Sequence, residues 1–349
     1  FLDDIPHPER SISFWHYNTS KRGITLNLET NDGKELFRRL AATADIILES
    51  YPPGYLSSLG LGYEDLAGTH PRLIMCSLTP FGQEGPWRDY RSSDLLHLAA
   101  GGEMASCGYD EEDDPEETPI AAGAGQAWNI SGHYAYMGIL CAVLARDMTG
   151  EGQYIDTSIH EACALTTEGA ITTYIYTGNV MVRHTGLHAT GEKFEPRRRS
   201  GEEMMAQDGS WVHTALGDPL ETPKGLGSLA EWMNEHGKAE DLLDEKYQDP
   251  AVIMESRPHI YEVMADFFRS MDPAELWHGG QARGWPWGAV RSMDELIDDP
   301  QLASRGFYTE VEHPELGRAL TYPGPGPIYN GSPWRISRRA PLIGEHNVE

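Results

Sequence analysis

Lys21 and Arg22 stand side by side in a chain with 27 basic and 54 acidic residues, a formal net charge of −27. They end the run Asn18-Thr19-Ser20-Lys21-Arg22. The pair reads either as a solvated basic step or as an anion site, since Lys and Arg give charge-assisted hydrogen bonds to phosphate. A second segment, Ser50-Tyr51-Pro52-Pro53-Gly54, follows an apolar run. Its glycine lets backbone approach a ligand and its prolines stiffen the turn. The third, Gly82-x-x-Gly85-Pro86, leads to Arg88 and Arg91. Open α/β sheets bind ligands outside the C-terminal ends of their parallel strands. Loops at three sheet ends therefore predict one crevice with some affinity for anions.

Other chemical signals are weaker. His184 and His188 have the spacing of helix metal ligands, but Gly186 between them argues against a helix, and no metal site is expected. Cys76, Cys107, Cys141 and Cys163 are too dispersed for a zinc or disulfide framework and read as reduced thiols. The sequence has no GxSxG elbow, P-loop or GxGxxG fingerprint. Gly101-Gly102 and Gly279-Gly280 read as turns.

The elements that must carry these loops alternate. Gly23 to Leu28 reads as a strand, and a helix starts near Thr30 to Gly33. Asp45 to Glu49 and Arg72 to Leu78 read as buried strands. Gly132 to Met148 reads as a long buried helix, Tyr154 to Ile159 as a strand and Glu161 to Tyr176 as a helix. After about residue 180 the composition shifts. Arg197-Arg198-Arg199 lies in a polar link, Trp211 to Leu216 reads as a strand, and helices follow at Leu226 to Gly237, Pro258 to Met271 and after Asp272. The predicted fold is α/β: a large domain over 1–203 with a parallel sheet, a smaller α+β domain over 204–310, and a return of 311–349 to the large domain.

With 349 residues, 40% hydrophobic and 23% charged, the chain has the composition of an ordinary globular protein. Its acidity argues against general nucleic-acid binding, which needs basic surface for phosphates. The longest apolar run, Ala135 to Ala145, is short of the ~18 residues of a membrane helix. No signal peptide is visible, and a cytoplasmic protein is expected. The acidic run at 110–117 reads as a solvated loop.

The ordered motifs bring a resemblance. They are Asn18-x-x-Lys21-Arg22-Gly23, Asp45 through Gly54, Leu59-Gly60-Leu61-Gly62-Tyr63 and Phe81-Gly82-Gln83-x-Gly85-Pro86. Gly138-Ile139-Leu140, Thr149-Gly150-x-Gly152-Gln153-Tyr154-Ile155-Asp156 and Ala340 through His346 follow. Together the chain resembles the family III CoA-transferases, the CaiB–BaiF family, over nearly its whole length. That resemblance implies a Rossmann-like large domain, a smaller domain and an interlocked dimer. It implies coenzyme A as a substrate, with no permanently bound cofactor. The CoA would lie near Lys21, Arg22, Tyr51, Pro52 and Gly54, and Arg91 would meet a CoA phosphate or a substrate carboxylate. Family members also carry an opening strand and helix ahead of these motifs, so further sequence is expected at both ends.

The family reaction uses an aspartate that attacks the thioester to form a mixed anhydride. Counting back from Gly138, that position falls on Trp128, or on Ala127 if the spacing slips by one; neither side chain is a nucleophile. Ser93 stands where the racemase branch has its histidine, which disfavours racemisation. Asp94 is the expected carboxylate near the thioester, with Asp156 and Glu161 as the other candidates. The alternatives are a non-nucleophilic subunit, paired in a heterodimer with a related Asp-bearing chain, or a protein that binds acyl-CoA without transferring it. Nucleic acid and membrane are not expected partners.

Overall fold

The computed structural model describes residues 1–109, 118–167, 169–184, 187–191, 203–214 and 219–349. The acidic run at 110–117, Arg197 to Arg199 and the far end of the strand expected at 211–216 lie outside the described residues. The chain divides into two units, 1–37 with 291–349, and 38–290.

The first unit opens with helix α1 (Ile12–Tyr17), capped by Ser11, whose Oγ accepts from the Phe14 amide. It continues into α2 (Asn31–Ala41), which runs on into the second unit. The strand expected at Gly23 to Leu28 is not one: the segment is irregular. Backbone groups at Gly23 and Thr25 are taken by the C-terminal tail and not by a neighbouring strand. The Gly23 amide donates to His346 Nδ1 at 3.2 Å, the His346 amide donates to the Gly23 carbonyl at 3.0 Å, and the Thr25 amide donates to Asn347 Oδ1 at 2.9 Å. A Cβ at Gly23 would lie 2.8 Å from Pro341 Cγ, so glycine is what lets the tail close here.

The second unit holds a three-stranded parallel sheet in the order β1 (Ile46–Glu49), β2 (Ile74–Thr79), β3 (Tyr154–Ser158). Leu48 pairs with Cys76, and Cys76 with Ile155. Short helices α3 (Tyr55–Ser58) and α4 (Tyr63–Ala67) connect the first two strands. Between the second and third lie α5 (Asp94–Ala100) and the 24-residue α6 (Gln126–Thr149).

Helix α6 starts after Gly125 and stops at Gly150, both at positive φ. It buries one stripe, Ala127, Ser131, Ala135, Ala142 and Arg146. The expectation of a wholly buried helix is therefore corrected: within this chain Tyr136, Met137, Leu144 and Met148 are exposed. Arg146 ties the strand entries together, its Nη1 donating to the carbonyls of Asp45 and Arg72, each at 3.3 Å. Just beyond, the Gly152 amide donates to the Pro71 carbonyl at 2.8 Å, and a Cβ there would fall 1.9 Å from the Leu73 carbonyl oxygen. Only glycine lets that turn lie against the entry to β2.

The helix expected over 161–176 is two helices, α7 (Ile159–Leu165) and α8 (Ala170–Thr177). The turn between them contains Gly169 at φ +77°, outside the right-handed helical region. Strands β4 (Met181–His184) and β5 (Leu187–Gly191) pair antiparallel, placing His184 and His188 on strands and not on one helix face. Next, β6 (Glu203–Met205) and β7 (Trp211–His213) join the later β8 (Gly288–Ala289) in a small antiparallel sheet. Helices α9 (Pro223–Glu235), α10 (Pro250–Glu255), α11 (Arg257–Phe268) and α12 (Pro273–Ala282) lie in the chain between β7 and β8.

Each of these four helices has Pro in its first turn. Thr222, Asp249 and Asp272 cap α9, α10 and α12, satisfying amides that an isolated helix start leaves open. One continuous core includes Leu226, Met264, Phe267, Phe268 and Trp287. Gly279 and Gly280 are inside α12 and not in a turn: a Cβ would fall 2.4 Å from the Trp232 ring at the first and 2.7 Å from the Trp287 ring at the second.

The first unit resumes with α13 (Pro300–Ser304) and the hairpin β9 (Tyr308–His313) and β10 (Arg318–Pro323). Buried His313 there bonds Glu315 at 2.8 Å and the Tyr322 hydroxyl at 3.0 Å. Arg339 joins Glu315 and Glu345, and its hydrogen bonds hold the Glu345 carboxyl down at about 2. Among the described residues, no helix is long and apolar enough to cross a membrane.

Candidate CoA and acyl site

The loop after β1 is built by its own side chains. Glu49 Oε2 accepts from the Tyr51 amide at 2.7 Å, turning the chain as the strand ends. Gly54 follows the two prolines at φ +77°, a conformation glycine adopts at little cost. Its amide donates to Gln83 Oε1 at 3.0 Å, and Arg88 Nη2 donates to the Pro53 carbonyl at 3.3 Å. The Gln83 amide in turn donates to Asp156 Oδ2 on β3 at 2.9 Å. The loops after β1 and β2 are thus laced to each other and to the third strand. Asp156 is accounted for as the acceptor that holds this loop.

Between these elements lies a cleft of about 230 Å³, lined by Glu49, Gly54, Tyr55, Ser57, Tyr63 and Tyr154 among others. The Tyr154 hydroxyl donates to Ser77 Oγ at 2.8 Å, and burial pushes its pKa up, with Asp156 and Glu49 acting in the same direction. Two carboxylates, Glu49 and Glu64, face this cleft. It therefore suits an uncharged, hydroxyl- and ring-bearing group better than a phosphate, whose charge it would repel. Tyr51 lies against Tyr55, ring centroids 5.0 Å apart, and is exposed together with Pro52.

The cations stand elsewhere. Lys21 and Arg22 belong to the first unit, and both are exposed. Lys21 Nζ donates to the Tyr17 carbonyl at 2.9 Å and to Asn18 Oδ1 at 3.0 Å, closing the C-terminal end of α1. Arg22 lies 3.5 Å from Glu349, an exposed contact of small energetic weight. In the second unit, Arg91 is exposed in the loop before α5.

Asp94 opens α5, directly after the cap Ser93, whose Oγ accepts from the Leu96 amide at 3.2 Å. Its Oδ1 accepts from the Ala127 amide at 2.9 Å, so the carboxylate sits at the N-terminus of α6, where the helix dipole favours a negative charge. This bond places Asp94 beside Trp128, the residue next along α6. Glu161 is exposed in the first turn of α7, the position expected of a helix N-terminal acid.

One turn along α5 from Asp94 is His97, which the sequence reading missed. It is fully buried, and neither ring nitrogen has a hydrogen-bond partner among the described residues. Burial pushes its pKa down, nearby His160 adds to this, and Asp94 opposes it. His97 is thus a neutral imidazole in the neutral pH range.

Rings surround it. Phe81 lies 5.1 Å from His97, 5.5 Å from His160, 5.9 Å from Trp87 and 6.1 Å from Tyr90, and Trp128 meets His97 edge-on at 5.8 Å. Cys163 lies in a small core with Leu98, Ala127 and Ile159, and burial pushes its thiol up to about 11, so it is not a nucleophile at neutral pH. The signal that could have revealed this cluster is the aromatic density of Phe81, Trp87 and Tyr90 in a loop otherwise read for its glycines and arginines.

One group of possible metal ligands occurs among the described residues, Glu240, Asp241 and His259. Asp241 is already bonded to Lys246, Tyr247 and His259, so the group reads as an ion-pair network.

The profile of CoA-transferase family III matches residues 3–347. Among related proteins, the succinyl-CoA:(R)-benzylsuccinate CoA-transferase subunit BbsE of Thauera aromatica is 32% identical over 348 residues, covering 99% of this chain and 81% of that protein. The succinyl-CoA–L-malate CoA-transferase beta subunit of Chloroflexus aurantiacus is 28% identical, covering 97% and 80%. A crystal structure of a CaiB/BaiF family protein from Brucella suis superposes with a TM-score of 0.78 at 25% identity, covering 95% of this chain and 81% of that one. With its parallel sheet, laced strand-end loops and ordered motifs, the chain belongs to CoA-transferase family III and is an enzyme of the CoA-transferase class.

Proposed function

We propose that this chain acts in the cytoplasm and moves CoA between an acyl-CoA and a carboxylic acid, with the nucleotide end of CoA at the loops over 51–54 and 82–88. The observation that carries this reading is the lacing of Gly54 to Gln83 and of Pro53 to Arg88, which gives one crevice at the strand ends. Tyr51, Pro52 and Gly54 line the nucleotide, and Arg91 meets a phosphate or a substrate carboxylate. The CoA-binding part is residues 1–203, the smaller domain 204–310, and 311–349 returns to the first.

Asp94 is the carboxylate at the thioester. One of its oxygens is anchored on the Ala127 amide; the other attacks the acyl carbonyl, the C–S bond breaks, and CoA leaves as thiolate with an aspartyl mixed anhydride formed. The thiolate attacks the aspartyl carbonyl and releases the donor acid, leaving an aspartyl-CoA thioester. The acceptor carboxylate then displaces the thiolate, and the thiolate takes the acceptor's acyl group, freeing Asp94.

A second reading is favoured by Trp128, which occupies the place where the motif spacing puts the family nucleophile. In that reading the chain is the non-nucleophilic half of a heterodimer with an Asp-bearing chain; two relatives are themselves named as subunits. Transfer of CoA between two acids by the purified chain alone, without net hydrolysis, supports the first reading. Transfer only after addition of a co-purifying related chain supports the second.

A further inference from the structure

Within the first unit, the C-terminal tail and the segment leading to Gly23 hold each other. The Ser20 amide donates to the Arg338 carbonyl at 2.9 Å, and the Ser337 amide donates to Ser20 Oγ at 3.0 Å. His346, 8% exposed, lies against the same segment. Both of its ring nitrogens face N–H groups. Nδ1 meets the Gly23 amide at 3.2 Å, and Nε2 meets the Arg338 guanidinium Nη1 at 3.1 Å.

An imidazole cannot satisfy both. Neutral, it has one acceptor nitrogen; protonated, it has none. The Gly23 contact is fixed by backbone, since the His346 amide also donates to the Gly23 carbonyl at 3.0 Å. This assigns Nδ1 as the acceptor and puts the proton on Nε2. The Nε2–H group then faces a guanidinium, which has only donors. Two donors converge, and among the described residues no acceptor takes them. A buried polar group left in this state points to a ligand. Arg338 is exposed, so its head can turn to admit one.

The charges say which kind. Among the described residues no carboxylate pairs with Arg338, although the chain has 54 acidic residues against 27 basic ones. The neighbouring acids are engaged: Glu345 bonds Arg339 through both oxygens at 2.9 Å, and Glu349 lies 3.5 Å from Arg22. A phosphate monoester has the charge and the several oxygens that a guanidinium and a separate N–H group can share.

We propose that Arg338 and His346 form a binding site for a phosphate monoester, whose oxygens accept from Arg338 Nη1 and His346 Nε2. The site goes beyond the CoA-transfer reading and does not depend on it. The 3′-phosphate of CoA and a separate phosphate ester are the two sources of this chemistry.

The test is calorimetric titration of the protein as purified, with any chain that accompanies it, using sodium phosphate, sodium acetate, CoA and dephospho-CoA at matched ionic strength. Phosphate is expected to bind more tightly than acetate. Arg338→Met should weaken phosphate about tenfold or more, the worth of one charge-assisted hydrogen bond. His346→Asn, which keeps an acceptor for the Gly23 amide and removes the second donor, should weaken it as well. If CoA is the source, CoA binds about tenfold tighter than dephospho-CoA, and Arg338→Met removes the difference. Equal binding of the two nucleotides, with phosphate still lost in Arg338→Met, supports the site and assigns it to a separate phosphate ester. No phosphate binding by the unaltered protein, acetate bound as well as phosphate, or phosphate binding unchanged in Arg338→Met overturns the proposal. Failure of CoA to bind, with phosphate bound as expected, overturns the CoA reading and leaves this site standing.

Discussion

The chain builds two clusters of rings and treats them in opposite ways. Around Trp232 every large ring is covered: Phe267, Phe268, Trp285 and Trp287 are buried, Arg283 stacks 4.1 Å over Trp232, and Gly279 and Gly280 omit the Cβ atoms that would collide with the indoles. Around Phe81, by contrast, Trp87, Tyr90 and Trp128 stay open, and buried His97 has no hydrogen-bond partner among the described residues. The first arrangement maximises apolar burial, the main favourable term in folding. The second leaves burial incomplete and a polar group unsatisfied. The same residue types are therefore packed to completion in one place and left partly open in the other.

The largest effect that separates the two clusters comes from truncating one ring in each. Phe267→Ala should cost about 3–5 kcal/mol, as for any large aromatic removed from a closed core. Trp87→Ala should cost under about 1 kcal/mol, because much of that ring is already in water. Urea unfolding followed by circular dichroism reads both; similar losses would erase the distinction. Gly280→Ala tests the closed cluster from the other side. Its new Cβ meets the Trp287 ring, and overpacking of this kind costs about 1–3 kcal/mol, which should appear as a lowered Tm with unchanged CoA binding.

Asp94→Ala removes the acceptor for the Ala127 amide and should cost about 1 kcal/mol, while Asp94→Asn keeps an acceptor and should cost less. Both should lose CoA transfer. Retained transfer in either would remove Asp94 from the chemistry.

The smallest effect is one of pH. His97 is held neutral in the fold, with a pKa below its ordinary value. Its contribution to stability is full above about pH 6.5, the unfolded value, and is lost as pH falls from there through the folded value, because only the unfolded chain takes up the proton readily. Hydrogen exchange corrected for intrinsic rates should show α5 losing protection between pH 7 and pH 5 while α9 and α11 keep theirs, and His97→Gln should abolish the change.

Much of this was legible in residue order. The parallel strands at Ile46–Glu49 and Ile74–Thr79 announce themselves as apolar runs, and Asp272-Pro273 marks the start of α12 with its cap. What stayed hidden depended on contacts distant in sequence. Gly23 to Leu28 looks like a strand until His346 and Asn347 return to take its amides. Gly279-Gly280 looks like a turn until the Trp232 and Trp287 rings are placed against it. At the site, the crevice loops were readable from glycine, proline and arginine. His97 was not, because its burial and the rings around it come from α5, α6, α7 and the Phe81 loop together.

The most direct test is intact-protein mass spectrometry after incubation with a panel of acyl-CoAs, followed by peptide mapping. The expected result is a covalent acyl or CoA adduct on Asp94, showing that this chain carries its own nucleophile. An adduct on Asp156 or Glu161 would keep the mechanism but move its site. No adduct, with CoA still bound, would contradict an autonomous double displacement and leave this chain as the partner of an Asp-bearing subunit.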